Sequence, residues 1–231
     1  MSSLRTLVLA TGTKTGGGSG LRELLRNMSV GNLQTEIVGV ACNHASGGLK
    51  AISDEYGLPF EYFVPPEHHV AESYAALVSR HRADFVALSG WLKRTEGLDP
   101  SRTFNIHPVP LSIRKPDGKP RFGGPGMYGH HIHEAVAAAG APFSGPTMHF
   151  VTSNYDEGPS FFELHIALNK GESADSIGAR VNKAEHGWQW WVTNLVVSGQ
   201  ISWSGRQSES VLVPGWYKSQ PFCPATCQAR D

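Results

Sequence analysis

Cysteine is scarce: Cys42, Cys223 and Cys227 are the three among 231 residues. So small and odd a number argues against a secreted disulfide framework. Cys42 ends an apolar run and reads as a buried thiol. The Cys223 and Cys227 pair has no second ligand pair beside it, so no zinc site is expected. Charge of one sign is missing as well. Lys and Arg total 20, Asp and Glu total 20, and no polybasic run occurs. Binding along a phosphate backbone needs clustered cations, which argues against nucleic acid as the main ligand. A small anion remains compatible, because backbone amides hold one phosphate without net charge. No apolar run approaches the roughly 20 residues of a membrane span. The segment Met1–Gly12 leads straight into a strand pattern and does not read as a signal peptide. The expected compartment is the cytoplasm.

What is present suffices for one α/β domain with a real core, 40% of the residues being hydrophobic. Thr6–Ala10 reads as a buried strand. A glycine-rich loop follows over Gly12–Gly20, then Leu21, Leu24, Leu25 and Met28 at helical spacing. Glu36–Cys42 reads as a second strand, Gly48–Tyr56 as a helix stopped by Gly57, and Phe60–Val64 as a third strand. Pro65 and Pro66 precede a helix over Glu67–His81, and Asp84–Leu88 and Thr103–Ile106 are further strands. This alternation predicts an α/β fold: a doubly wound, mostly parallel, Rossmann-like sheet with helices on both faces. Such sheets bind ligands beyond the carboxyl ends of their strands, which puts the glycine loop and residues 105–107 on one edge.

Residues 109–127 are rich in Pro, Gly and charge, and so long a loop is expected to be functional or mobile. Tyr128–Ala139 reads as a helix, Thr147–Thr152 and Ser160–Leu168 as strands, and Ser173–Val197 as a long helix with a Ser173 cap. Residues 1–202 are expected to form a single domain. The Pro- and Ser-rich remainder, 203–231, is expected to be a loosely attached tail, disordered near its end.

The chemistry-bearing run is Asn105-Ile106-His107-Pro108, together with Asp156. Asn105 and His107 are two apart and share one face of a strand. An amide can donate to a developing oxyanion. An imidazole can donate to the same oxygen or shuttle a proton, and a carboxylate can orient it. Singly, each residue is unremarkable: Asn-x-His is a common pair, and an Asp in a turn is usually a turn former. The glycine loop lacks the Gly-Lys-Ser/Thr ending of a triphosphate loop. The position where dinucleotide folds carry a ribose-binding acid holds Cys42, Asn43 and His44, which disfavours NAD. What remains is a cradle for one phosphate at a helix N-terminus, with Lys14 adding charge. His130, His131 and His133 have no further ligand motif and read as capping and surface residues, and Trp188, Trp190 and Trp191 as packing.

With these residues laid out, the chain resembles the folate-dependent formyltransferases from about Arg5 to Ser202. The marks are Gly18-Ser19-Gly20-Leu21, Ser89-Gly90-Trp91-Leu92-Lys93, Asn105-Ile106-His107-Pro108 and His149-Phe150-Val151-Thr152. Asp156-Glu157-Gly158-Pro159 and Arg180-Val181 with Glu185-His186 complete the set. The resemblance implies transfer of a formyl group from 10-formyltetrahydrofolate, a co-substrate, to the amine of glycinamide ribonucleotide in purine synthesis. No metal is implied. Asn105 and His107 would stabilise the oxyanion, with Pro108 beside them, and Asp156 would orient His107 and help move the amine proton. Gly18, Ser19 and Gly20 would hold the ribonucleotide phosphate. Asn182 and Glu185 would contact the acceptor. Leu92, Lys93, Phe104, Val151 and Tyr155 would form the folate pocket. Partners are then small molecules, and a monomer or homodimer is expected.

Departures lie in the acceptor half. Asn182 and Gly20 stand where the short form of the family often has Gln and Asn. About a dozen extra residues, including Arg114–Phe122, follow His107, and the loop is expected to act as a lid or to reshape acceptor binding. Rival readings are a formyl-folate hydrolase or a formyltransferase for another amine. The hydrolase is expected to carry an N-terminal regulatory domain, and the tRNA enzyme a C-terminal domain larger than this tail. A rival of another class is a non-catalytic nucleotide-binding module in which Asn105, His107 and Asp156 are dispensable.

Overall fold

In a computed structural model that describes residues 3–14, 16–124 and 126–230, the first apolar run forms β1 (Arg5–Leu9). After it come α1 (Ser19–Ser29), β2 (Glu36–Cys42), α2 (Gly48–Tyr56), β3 (Phe60–Tyr62), α3 (Val70–His81), β4 (Phe85–Ser89) and β5 (Thr103–His107). The second half runs α4 (His130–Ala138), β6 (Phe143–Ser144), β7 (Thr147–Phe150), β8 (Ser160–Glu163), β9 (Ile166–Ala167) and α5 (Ala174–Val197). The tail holds β10 (Leu212–Val213), α6 (Gly215–Lys218) and β11 (Gln228–Ala229). The parts of the glycine and 109–127 loop readings that fall on Thr15 and Pro125, and the tail reading at residue 231, lie outside the described residues.

The main sheet has seven strands in the order β3-β2-β1-β4-β5-β7-β8. Neighbours from β3 to β5 are parallel, and β7 and β8 join antiparallel. Successive residues of β1 face opposite sides. Val8 and Ala10 pack under α1, α2 and α5 with Leu21, Leu25, Ile52 and Val192. Leu7 and Leu9 pack against α3 with Tyr74 and Leu77. Burial on both faces explains why these strands read as unbroken apolar runs. The chain goes from β1 to β2 on one side and returns to β4 on the other, so the loops after β1 and β4 diverge and leave a crevice between them.

Several boundaries differ from the sequence reading. Helix α3 starts at Val70 instead of Glu67, because His69 before it takes a left-handed backbone (φ 58°). Helix α4 starts at His130, after Gly129 at φ 56°. The strand expected over Ser160–Leu168 is broken: β8 stays in the main sheet, while β9 pairs with β6 in a separate ribbon. Among the described residues, no helix is long and apolar enough to cross a membrane.

The tail is the main correction. It is not loosely attached. Ile201, Trp203, Val211, Val213, Tyr217 and Cys227 are buried in one cluster with Phe150, Phe161 and Phe162. The Tyr217 hydroxyl donates to Phe161 O at 2.8 Å. The Trp203 indole N–H donates to Arg206 O and Glu209 O at 3.1 and 3.0 Å. Each large side chain so buried contributes roughly 1.5–3 kcal/mol. That outweighs the turn-forming composition from which a loose tail was expected.

The 109–127 segment is built as well. Val109, Leu111 and Phe122 are buried. Between them the chain doubles back: Arg114 bridges Pro120, Arg121 N donates to Ile113 O at 2.7 Å, and Lys115 N donates to Lys119 O at 2.8 Å. Gly118, at φ 81°, makes the turn that closes this small hairpin.

Candidate active site

The loop after β1 turns through Gly17 (φ 84°) and Gly18 (φ 89°) into α1. The left-handed φ favours glycine at Gly18, and a Cβ there would also press on Ile52 Cδ1 at 2.8 Å. No side chain caps α1, which leaves its first amides available to an anion. The loop after β4 is tied to this one. Thr11 N donates to Gly90 O, and Leu92 N donates to Thr11 Oγ1, both at 3.0 Å.

At the end of β5, Asn105 and His107 open toward the crevice, with Pro108 after them. Strand pairing sets His149 of β7 directly opposite Asn105. The Nδ1 of His149 lies 2.8 Å from Phe150 O. A carbonyl only accepts, so Nδ1 carries the proton and Nε2 accepts the Asn105 amide at 3.1 Å. Burial pushes the His149 pKa down, against the pull of Asp156 and the Phe150 carbonyl. A neutral, fixed His149 thus orients the Asn105 amide and leaves it one further N–H.

His107 is held by the same logic. Its Nε2 lies 3.0 Å from Phe122 O and therefore donates to it. Its Nδ1 lies 3.6 Å from Asp156 Oδ1, beyond direct hydrogen bonding and within ionic reach. Asp156 adopts φ 55°, a conformation Asp tolerates, and its Oδ2 accepts from Gly124 N at 2.8 Å. Burial pushes this carboxyl up. The imidazoles of His107 and His149, when protonated, and the Gly124 amide outweigh burial and hold it below its usual range.

These groups stand between two cavities. A large one of about 620 Å³ is lined by Gly18, Ser19, Gly20, Leu92, Asn182 and Glu185, among others, as well as by Asn105, His107, Pro108 and Asp156. A slot of about 50 Å³ beside it is lined by Lys93 and Val151, and shares Trp91, Asn105, Tyr155 and Asp156 with the first. Within the large cavity, Glu185 of α5 is pushed up to about 7 by burial, against the pull of Asn182. The Asn182 amide reaches Glu185 Oε2 at 3.5 Å.

Two of the sequence-derived residues are not in either lining. Lys14 is exposed on the loop and faces neither cavity. Phe104 is buried on the opposite face of β5, in the cluster beneath α5. Asn105 and His107 line the site from the other face, and on the face of Phe104 it is Ile106, nearer the strand end, that reaches the large cavity. Four residues were missed. His149 sits in β7, where all four residues are buried and no alternation marks it. His133, expected at a surface or cap, is buried in α4 and lines the large cavity. His186 and Gln189 line it from α5. The Nδ1 of His133 and the Nε2 of His186 are buried without a hydrogen-bond partner among the described residues. Burial pushes the His133 pKa down, and the charges of His130 and His107 add to this. His130 and His131 do lie at the surface, beside Glu134. Among the described residues, no group of three or more His, Cys, Asp or Glu is placed to hold a metal ion.

The family profile described as formyl transferase matches residues 4–195. The chloroplastic phosphoribosylglycinamide formyltransferase of Vigna unguiculata is 30% identical over 198 residues, covering 82% of this chain and 61% of its own length. The enzyme of the same name from Arabidopsis thaliana is 28% identical, covering 82% of this chain and 65% of its own. This chain thus spans less than two thirds of the length of these plant relatives. The crystal structure of glycinamide ribonucleotide transformylase 1 from Symbiobacterium toebii shares the fold. It superposes with a TM-score of 0.75 at 22% identity, over 88% of this chain and 92% of its own.

Proposed function

The chain belongs to the formyl transferase family, and we propose that it moves the formyl group of 10-formyltetrahydrofolate onto the amine of glycinamide ribonucleotide. The products are formyl-glycinamide ribonucleotide and tetrahydrofolate, a step of purine synthesis. The observation that carries this reading is the junction of the two cavities. Asn105, Tyr155 and Asp156 line both a large cavity, which begins at a glycine-built helix start, and the slot beside it.

In this reading the phosphate rests on the amides of Gly18, Ser19 and Gly20, and Asn182 and Glu185 meet the rest of the acceptor. The folate lies along Leu92, Lys93, Val151 and Tyr155. The acceptor amine attacks the formyl carbon, and the carbonyl oxygen becomes an oxyanion. The second Asn105 N–H and a protonated His107 Nδ1 stabilise it, each donor worth roughly 3 kcal/mol. Asp156 stabilises the imidazolium and accepts the amine proton through a water. The carbon–nitrogen bond to the folate then breaks, and its nitrogen takes a proton. Holding both substrates side by side supplies much of the remaining rate.

The test is spectrophotometric release of tetrahydrofolate from 10-formyltetrahydrofolate, with and without glycinamide ribonucleotide. Release that requires the ribonucleotide supports the proposal. Release without it points to a hydrolase. No release in either case refutes the acceptor assignment.

A further inference from the structure

Glu163 lies on β8, outside both cavities, and is 7% exposed. Its carboxyl group meets three donors and lies near a fourth polar atom. Ser112 N donates to Oε2 at 2.9 Å, and the Ser112 hydroxyl donates to Oε1. His165 Nε2 lies 2.7 Å from Oε1, and Thr147 Oγ1 reaches Oε2 at 3.4 Å. Thr147 itself holds the start of the 109–127 segment: its hydroxyl donates to Val109 O at 2.8 Å and accepts from Leu111 N at 3.2 Å. A buried group with this many partners anchors whatever it holds.

What it holds leads to the reacting groups. Ser112 precedes Ile113, whose carbonyl accepts from Arg121 N at 2.7 Å and closes the hairpin. Phe122 follows, and its carbonyl takes the Nε2 proton of His107. Two residues on, Gly124 N donates to Asp156 Oδ2. The segment expected to act as a lid or to reshape acceptor binding thus supplies one backbone acceptor to His107 and one backbone donor to Asp156.

We infer that Glu163 is a positioning residue for the His107–Asp156 pair, acting through Ser112 and the base of the 113–121 hairpin. Holding Phe122 O against Nε2 fixes the proton there and directs Nδ1 toward Asp156. A His107 ring released from Phe122 O is free to place its proton on either nitrogen. The kinetic part of this inference rests on the function proposed above; the tautomer part does not.

The experiment compares Glu163→Ala, Ser112→Ala and Glu163→Gln with the wild type in two readouts. In the formyl-transfer assay, Glu163→Ala is expected to lower kcat about ten- to a hundredfold, as sub-ångström misplacement of reacting groups does. KM for both substrates is expected to stay within about threefold, since uniform binding is untouched. Ser112→Ala, which removes only the hydroxyl contact, is expected to fall between. Glu163→Gln keeps an acceptor for Ser112 N and is expected to restore most of kcat. In the second readout, ¹⁵N spectra of histidine-labelled protein, recorded at a pH high enough to neutralise the imidazolium, are expected to show a single Nε2-protonated His107 in the wild type and a tautomer mixture in Glu163→Ala. An unchanged kcat in folded Glu163→Ala overturns the inference, as does a loss carried by KM. Identical His107 spectra in wild type and variant overturn it too. Should the wild type prove inactive with these substrates, the proposed function falls, and the spectra alone decide the role of Glu163.

Discussion

The two halves of the large cavity are built on opposite terms. Around the candidate reacting corner, Asn105, His107, His149 and Asp156 each already have a partner. Asn105 meets His149, His149 meets Phe150 O, His107 meets Phe122 O, and Asp156 meets Gly124 N. Along α1, α4 and α5, polar capacity is left over. Among the described residues, no side chain caps the start of α1, and His133 Nδ1 and His186 Nε2 have no hydrogen-bond partner. Glu185 is pushed up to about 7. A buried polar group without a partner costs roughly 1–3 kcal/mol, which a ligand that satisfies it returns. The difference teaches a division of labour. Preset dipoles stabilise a transition state without reorganising, so the corner suits the chemical step. Unsatisfied groups discriminate between ligands by what each ligand completes, so under the proposed function the other half suits acceptor recognition.

The sharpest way to break this division is His107→Ala. Its kcat is expected to fall about 10²–10³-fold with little change in either KM. Initial-rate kinetics check it, and a loss that appears in KM would mean that the corner binds as much as it reacts. Next in size is Gly18→Val, which places a Cβ against Ile52 and strains a left-handed backbone. The ribonucleotide KM is expected to rise about tenfold or more, a change of some 1.4 kcal/mol, while the folate KM holds. Equal effects on both substrates put the phosphate elsewhere.

A third, smaller effect concerns stability. The Glu185 carboxyl is raised in the folded protein to about 7 from an ordinary 4.5. The folded state then binds the extra proton between these values, so stability falls as pH rises through that window and is fully present below it. Glu185→Gln is expected to be more stable than the wild type at pH 8 by about 1–3 kcal/mol, and no more stable at pH 4. Urea denaturation at the two pH values decides it. A wild type that gains stability from pH 4 to pH 8 relative to the variant contradicts the direction. The smallest effect serves as a control outside both halves. Tyr217→Phe removes the hydroxyl that Phe161 O accepts and is expected to lower stability by about 1 kcal/mol. Thermal melts measure this, and unaltered kcat and KM for both substrates are the expected accompaniment.

The shared orientation of Asn105 and His107 in the candidate site was legible in the residues, because strand alternation alone sets them on one side. The same rule, applied one residue back, puts Phe104 on the other face. His149 was not legible in that way. Its partnership with Asn105 depends on which strand β7 joins and in what register, and neither is encoded locally. His133 was hidden for a related reason. Its neighbours His130 and His131 do face solvent, and only the packing of α4 against α5 turns the third histidine inward. The glycine loop was readable as a turn into a helix start from its glycines, whereas Lys14 was assigned by charge and its direction depends on a turn. The tail was misjudged because Pro and Ser were weighed by number. The anchoring of Trp203, Tyr217 and Cys227 depends on a surface far away in sequence.

The tail also decides how the sheet ends. Strand β8 is the outermost strand on its side. An outer strand offers a row of unpaired amides and carbonyls that can template pairing with another chain. Here Cys227 Sγ and the Tyr217 hydroxyl occupy the carbonyls of Ser160 and Phe161, and Phe222 O accepts Glu163 N at 2.9 Å. The opposite margin, β3, is three residues long and carries Glu61, engaged with His81. Neither margin is left as a long, bare strand, so the last stretch of chain acts as a guard against edge-to-edge aggregation.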